Sequence, residues 1–264
     1  MHTLQAVGGG KMGEALIGGL LRAQWAAPKE LAIVEKLPAR RAELERAFPQ
    51  VAVVAEVLPG VDAVVAVKPN DAEAACRRLG VAPPRRLLSI AAGVTTARLE
   101  AALGTGAPTA VVRAMPNTPA LVGRGAAGIA AGSAAGEDDL AWAEGILGAV
   151  GVVVRVSEAQ LDAVTGLSGS GPAYVFLVAE ALIEAGVLAG LARDIAERLA
   201  VATLAGSAEL LAASDRPAAS LRADVTSPGG TTAAGLRELE RAGVRAALLD
   251  AVMAATERSR QLGA

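Results

Sequence analysis

Several short segments of this 264-residue chain gather residue types that could bind a ligand or move a proton. Thr226-Ser227-Pro228-Gly229-Gly230-Thr231-Thr232 is a proline–glycine turn that empties into a helical pattern and offers four hydroxyls. The unpaired N–H groups of a helix beginning near Thr232 would face whatever lies over that turn. Such a place suits a small anion, a carboxylate above all. A merely capped helix start would need only one hydroxyl, from Thr231 or Thr232. At the other end of the chain, Gly8-Gly9-Gly10-Lys11-Met12-Gly13 follows the apolar run Leu4-Gln5-Ala6-Val7 and precedes Ala15, Leu16, Gly19 and Leu20 at helical spacing. Strand, G-x-G-x-x-G and helix is the arrangement that lets a backbone approach a dinucleotide pyrophosphate. A P-loop fits badly, because Met12 stands where Ser or Thr would have to hold a metal ion.

Other candidates sit where strands should end. Val67-Lys68-Pro69 closes one such run, and ligands of open parallel sheets lie beyond the strands' carboxyl ends. Lys68 is therefore placed either for a ligand or simply in solvent. Ala91-Ala92-Gly93 closes the next run with residues small enough for a flat ring to come close. Asn117 could bond a ligand or form an Asx turn. Gly166-Leu167-Ser168-Gly169-Ser170-Gly171-Pro172 only superficially resembles a nucleophile elbow, and a tight turn capped by Ser170 is its simpler reading. His2 is the only histidine and Cys76 the only cysteine. No metal site of His/Cys type and no Ser-His-Asp or Cys-His system is expected. Chemistry must use a cofactor, hydroxyls, carboxylates, lysine or backbone amides.

The elements that must position these groups follow from periodicity. Candidate strands are 4–7, 31–34, 51–54, 63–67, 87–90, 109–113, 128–131 and 152–156. Helical patterns cover 11–23, 39–47, 72–79, 96–103 and 137–149. The alternation predicts an α/β, Rossmann-type, doubly wound parallel sheet, with early strands apolar on both faces. Near Glu158 strand signals stop and helical patterns begin, from Pro172 to Gly186, 193–213, 232–241 and 244–262. We therefore expect a dinucleotide-binding domain over 1–157 and an all-helical substrate and dimerisation domain over 158–264. Tyr174-Val175-Phe176-Leu177-Val178 leaves no polar face, so a second subunit is expected to complete its burial.

Hydrophobic residues make up 53% of the chain and aromatics 2%, so the core must be Ala, Val, Leu and Ile. Net charge is −2 without a basic tract, and no nucleic-acid partner is expected. One cysteine suits a reducing compartment. The start lacks a signal-type pattern, and Gly, Pro or charge interrupts every apolar stretch. A cytoplasmic location without membrane association is the expectation.

These segments together resemble the Δ1-pyrroline-5-carboxylate reductase family nearly end to end. The resemblance is carried by the opening glycine turn, Ala66-Val67-Lys68-Pro69, Ala91-Ala92-Gly93-Val94-Thr95, residues 113–119, residues 162–174 and residues 225–232. The last two stretches are the most specific. The resemblance implies a Rossmann domain and a helical domain that interlocks with a partner subunit. It implies NADPH as hydride donor, with NADH as an alternative, and reduction of the imine of pyrroline-5-carboxylate to L-proline, the last step of proline synthesis. It further implies that Val7, Gly8, Gly9, Gly10, Lys11 and Met12 bind the cofactor phosphates. Ala66, Val67, Lys68, Pro69, Ala91, Ala92 and Gly93 would line its nicotinamide end, with Asp224, where the family often carries Asn, nearby. Glu158, Ser227, Gly230, Thr231 and Thr232 would contact the imino acid. A homo-oligomer is expected, a dimer or a decamer built as a ring of dimers.

The residues agree with that chemistry. A protonated imine accepts hydride readily, and the site then needs an anion pocket, a hydride donor held close and one modest acid, for which Thr232 is the candidate. Positioning alone can contribute roughly 7–11 kcal/mol. Glu35 stands about 25 residues after Gly10, where an acid favours NAD, while Lys36, Arg40 and Arg41 could instead clamp a 2′-phosphate. NADPH with appreciable NADH use is the expectation. A dehydrogenase of small hydroxy acids would typically need a lysine in its helical domain, and 158–264 has none. A nucleotide-sensing dimer would not need the hydroxyl-rich turn.

Overall fold

The computed structural model of the chain describes residues 2–104 and 108–263; Met1 and Ala264, the outermost residues of the two expected domains, lie outside them. Two compact units are present, Met1–Ser170 with Met253–Ala264, and Gly171–Val252.

The first unit is built on eight strands: β1 (Leu4–Val7), β2 (Leu31–Val34), β3 (Ala52–Val54), β4 (Asp62–Val65), β5 (Arg86–Ser89), β6 (Ala110–Met115), β7 (Gly125–Ala131) and β8 (Gly151–Arg155). They form one sheet in the order β3-β2-β1-β4-β5-β6-β7-β8. The order reverses at β1, whose Val7 pairs with Val34 of β2 on one side and Val65 of β4 on the other. The crossover helices are α1 (Lys11–Arg22), α2 (Pro38–Ala47), α3 (Pro69–Leu79), α4 (Thr96–Leu103) and α5 (Glu137–Gly148). One ladder departs from the expected parallel sheet: β6 and β7 run antiparallel, with Val112 opposite Ala131 and Met115 opposite Gly128. Their connection holds only the short turn Thr118–Val122, and a parallel return needs a crossover of about a dozen residues or more.

Both faces of the central strands are buried, which is why they read as apolar runs, whereas Val152 and Val154 of the edge strand β8 are exposed. Leu4, Ala6, Leu31 and Ile33 pack with Leu16, Ile17 and Leu20 of α1 and Ile146 of α5. Ala63, Val65 and Leu87 pack with Ala72, Cys76 and Leu79 of α3 and Leu99 of α4. Gln5, the one polar residue of β1, is fully buried. Its amide donates to the carbonyls of Leu58 and Val61 at 2.8 and 2.9 Å and accepts from Leu58 N–H at 2.8 Å, so the burial leaves no unmet polar group.

The helices continue with α6 (Leu161–Val164), α7 (Gly171–Leu188), α8 (Arg193–Ala212), α9 (Ala218–Asp224), α10 (Thr231–Arg241) and α11 (Val244–Gly263), whose last turns belong to the first unit. Helix α9 was not foreseen; its Ala-rich, seven-residue segment carries no stripe a periodicity reading could find. The expected turn capped by Ser170 is also absent. The backbone at Thr165–Gly169 widens into a π-turn, closed by Ser170 N–H on the Thr165 carbonyl at 2.8 Å. Ser168 Oγ bonds back to the Val164 carbonyl at 3.0 Å. The widened turn carries the helix past Pro172 instead of breaking before it. As a result Glu158–Leu188 is one helical run of 31 residues, long and apolar enough by length and composition to cross a membrane. This corrects the expectation that Gly, Pro or charge would interrupt every apolar stretch. No residue of α7 is buried within the chain; Phe176 and Leu177 are 62% and 66% exposed.

Candidate active site

The glycine turn is shaped by contacts that only glycine permits. Gly8 follows β1 with φ +110, and a Cβ there would lie 2.7 Å from the Ala66 carbonyl oxygen. A Cβ on Gly13 would lie 2.1 Å from the Gly8 carbonyl oxygen, so the third glycine seats α1 against the turn. Gly10 is the helix N-cap, extended and without a side-chain cap, and nothing lies within 4 Å of where its Cβ would be. No side chain caps the first turn of α1 and the space beside Gly10 is open, at the positive end of the helix dipole, which suits a pyrophosphate.

That turn borders a cleft of about 420 Å³ at the point where the strand order reverses. The cleft gathers Val7, Gly8, Gly10, Glu35, Lys36, Ala66, Val67 and Lys68 of the sequence-derived set, with Ala55, Val57, Asp71 and Arg78, which sequence reading missed. Ala55 and Val57 were hidden because they follow the shortest strand and carry no motif. Pro69, Ala92 and Gly93 line a neighbouring hollow of about 390 Å³ together with Arg77 and Arg98. Gly9, Lys11, Met12 and Ala91 line neither hollow. Gly9 is turned inward: its N–H donates to Glu35 Oε2 at 3.1 Å, and a Cβ would meet Leu44 Cδ1 at 2.4 Å. Ala91 is buried.

Glu35 accepts a second bond, from Leu37 N–H to Oε1 at 2.9 Å. Arg40 donates to the Gly9 carbonyl (2.8 Å), to Glu43 (2.8 Å) and to Glu14. Arg41 Nη1 donates to the carbonyls of Glu35 and Lys36 at 3.0 and 2.9 Å.

Glu158 receives three donors. Thr96 N–H and Arg113 Nη1 reach Oε1 at 2.7 and 3.0 Å, and Thr96 Oγ1 reaches Oε2 at 2.7 Å. The carboxylate thereby ties down Thr96, the first residue of α4, directly after the Ala91–Thr95 segment, while the side chain of Thr95 is the helix N-cap. Burial pushes its pKa up, but the hydroxyl and backbone bonds of Thr96 and the Arg113 guanidinium outweigh that and hold it below the usual carboxylate range. The signal that could have exposed this network is Arg113 itself, a lone charge inside an apolar strand that must find a partner. Asn117 forms no Asx turn. Its Nδ2 donates to the Ser168 carbonyl at 3.0 Å and its Oδ1 accepts from Ala126 N–H at 2.8 Å, clasping the β6–β7 connection to the π-turn.

In the second unit the hydroxyl-rich turn leads into α10, which starts at Thr231. Its N-cap is Gly230, with no side-chain cap, so neither Thr231 nor Thr232 serves as the capping residue. Thr226 Oγ1 donates to the Arg222 carbonyl at 2.6 Å. Ser227 Oγ sits over Gly230, 2.4 Å from where a Cβ would be. Among the described residues, nothing in the chain satisfies the hydroxyls of Ser227, Thr231 and Thr232 or the first N–H groups of α10. That is the donor array a carboxylate would use. Asp224, at the end of α9, is engaged by Arg216 through two bonds of 2.6 and 3.1 Å.

A doubly wound sheet with an open glycine turn at its switch point defines a dinucleotide-dependent oxidoreductase, here joined to a helical unit that leaves its apolar surface uncovered. Residues 158–262 match the family described as pyrroline-5-carboxylate reductase dimerisation, and residues 3–93 match the one described as NADP oxidoreductase, coenzyme F420-dependent. The pyrroline-5-carboxylate reductase of Synechocystis is 44% identical, the match covering 98% of each chain. The solved structure of the Coxiella burnetii enzyme superposes with a TM-score of 0.93 at 33% identity, over 100% of this chain and 99% of that one. The Plasmodium falciparum pyrroline carboxylate reductase with NADP bound gives 0.82 at 30% identity, over 100% and 98%. The chain belongs to the pyrroline-5-carboxylate reductase family.

Proposed function

We propose that this chain reduces the imine of Δ1-pyrroline-5-carboxylate to L-proline, the final step of proline biosynthesis. The observation that carries the reading is the uncapped helix start after β1 at the sheet's switch point, in a chain whose relatives of this name match it end to end. A bound nicotinamide cofactor, NADPH or NADH, supplies the hydride. Val7, Gly8, Gly10, Lys11 and Met12 hold its phosphates, with Gly9 shaping the turn from within. Glu35 and Lys36 border its adenosine half, and Ala66–Pro69 and Ala91–Gly93 the nicotinamide end. Asp224 belongs to the same cofactor set.

The substrate is a small imino acid. Ser227, Gly230, Thr231 and the α10 N–H groups hold its carboxylate, and Thr232 donates or relays the proton at the ring nitrogen. Glu158 joins the substrate set; a carboxylate accepts about four hydrogen bonds, so its three donors leave capacity for one more. Residues 1–157 serve the cofactor, and 158–264 serve the substrate and the subunit contact. A second copy, in a dimer or a decameric ring of dimers, covers the apolar α7 surface. That reading is supported by the dimerisation family matched at 158–262 and makes a bilayer unnecessary for this helix. The protein then works in the cytoplasm, without nucleic acid. Oxidation of NADPH or NADH on adding pyrroline-5-carboxylate, with proline as product, tests the proposal. Neither cofactor being oxidised by an oligomeric, folded preparation would overturn it.

A further inference from the structure

We infer that Glu35 sets the cofactor choice of this chain, in favour of NADH over NADPH. The inference deepens the reading above and rests on it only in taking the cleft beside the glycine turn as the nucleotide's. Glu35 follows β2 directly, and its own N–H is fixed on the Val54 carbonyl at 2.9 Å. Its carboxylate is fixed as well, by Gly9 N–H on one oxygen and Leu37 N–H on the other. The side chain cannot swing aside without breaking two bonds, one of them to the turn that cradles the pyrophosphate. It borders the cleft with accepting capacity left on both oxygens. A ribose 2′-hydroxyl can donate to it, whereas a 2′-phosphate would set nearly two further negative charges beside a carboxylate that has no way out.

The cations that could offset this are largely committed. All three nitrogens of Arg40 are taken, by the Gly9 carbonyl, Glu43 and Glu14. Arg41 Nη1 is held by two backbone carbonyls. Among the described residues Lys36 alone of this segment carries no partner, and a single exposed ammonium makes a poor clamp beside a fixed carboxylate. Lys68 and Arg78 border the same cleft from the β4–α3 side. At about 4.8 Å per strand the backbone of Lys68, just beyond β4, is two strands, roughly 10 Å, across the sheet from β2.

The test is equilibrium binding of NADH and NADPH to the full chain, by fluorescence of the bound nucleotide or by calorimetry, without substrate. The wild-type chain is expected to bind NADH about tenfold or more tightly than NADPH. That preference should shrink as added salt screens the repulsion. Glu35→Ser should lower the ratio of the two dissociation constants by about tenfold or more, and Glu35→Gln, which keeps the size and removes the charge, should lower it in the same direction. Loosening of the glycine turn would weaken both nucleotides together and leave the ratio unchanged, so the ratio carries the result even if one variant is less stable. A wild-type preference for NADPH, or a ratio that neither variant moves, overturns the inference. Either of those results leaves the reductase reading intact; binding of neither nucleotide would sink that reading instead.

Discussion

Removal of the Glu158 carboxylate should expose how much of the fold hangs on the junction between sheet and helices. Its partner Arg113 has a side chain only 9% exposed, while that of Glu158 is 31% exposed. Stripping one member from a fully buried ion pair costs about 3–5 kcal/mol, because the other charge stays buried and unpaired. Glu158 is partly solvated, so water recovers some of that. Against this, Glu158→Ala also leaves the buried Thr96 N–H and hydroxyl without their acceptor, a loss of about 1–3 kcal/mol. The net expectation is about 2–4 kcal/mol for Glu158→Ala. Glu158→Gln should cost less, since one acceptor survives. The assay is urea denaturation of the full chain, followed by circular dichroism at fixed protein concentration because assembly shifts apparent stability. Combining Glu158→Ala with Arg113→Ala should cost less than the sum of the single changes by about 1–3 kcal/mol. The pH dependence has a defined sign. The carboxyl is held below its ordinary value in the folded chain. Its contribution is therefore fully present above the unfolded value of about 4.3 and is lost as pH falls through the folded one. A loss below about 0.5 kcal/mol for Glu158→Ala, or strict additivity with Arg113→Ala, would refute this account of the junction.

Other outcomes follow from the same contacts. Gly8→Ala forces a side chain into φ +110, 2.7 Å from the Ala66 carbonyl oxygen, and should cost about 2–4 kcal/mol while weakening both nucleotides, measured by thermal shift and titration. Cys76 is fully buried, and burial pushes its thiol up to about 12; iodoacetamide should leave it untouched at about pH 8 in the folded chain and label it in denaturant. Rapid native labelling would mean that α3 opens. Thr232→Ala should lower kcat more than it raises KM, and an unaltered kcat across the pH range would remove this hydroxyl from proton transfer. Light scattering at micromolar concentration should report an oligomer, given the uncovered apolar surface of α7; a monomer would show that this surface is covered some other way.

What could be read without coordinates were the features with local causes. The central strands announced themselves as apolar runs because both of their faces are covered. The turn after β1 was legible because three glycines before a helix have few other uses. The hydroxyl-rich turn could be located from Pro228-Gly229-Gly230, because a helix must begin after it. Decisions that depend on residues distant in the chain stayed hidden. The antiparallel β7 follows from the shortness of one connection, which composition does not display. The π-turn at Thr165–Gly169 and the clasp at Asn117 join segments some fifty positions apart. Most of all, the sequence places Glu35, Arg40, Arg41 and Glu158 near chemistry but cannot say to whom they are bonded. Charged side chains are long, their partners are picked in three dimensions, and only the folded chain decides which charges are already spent.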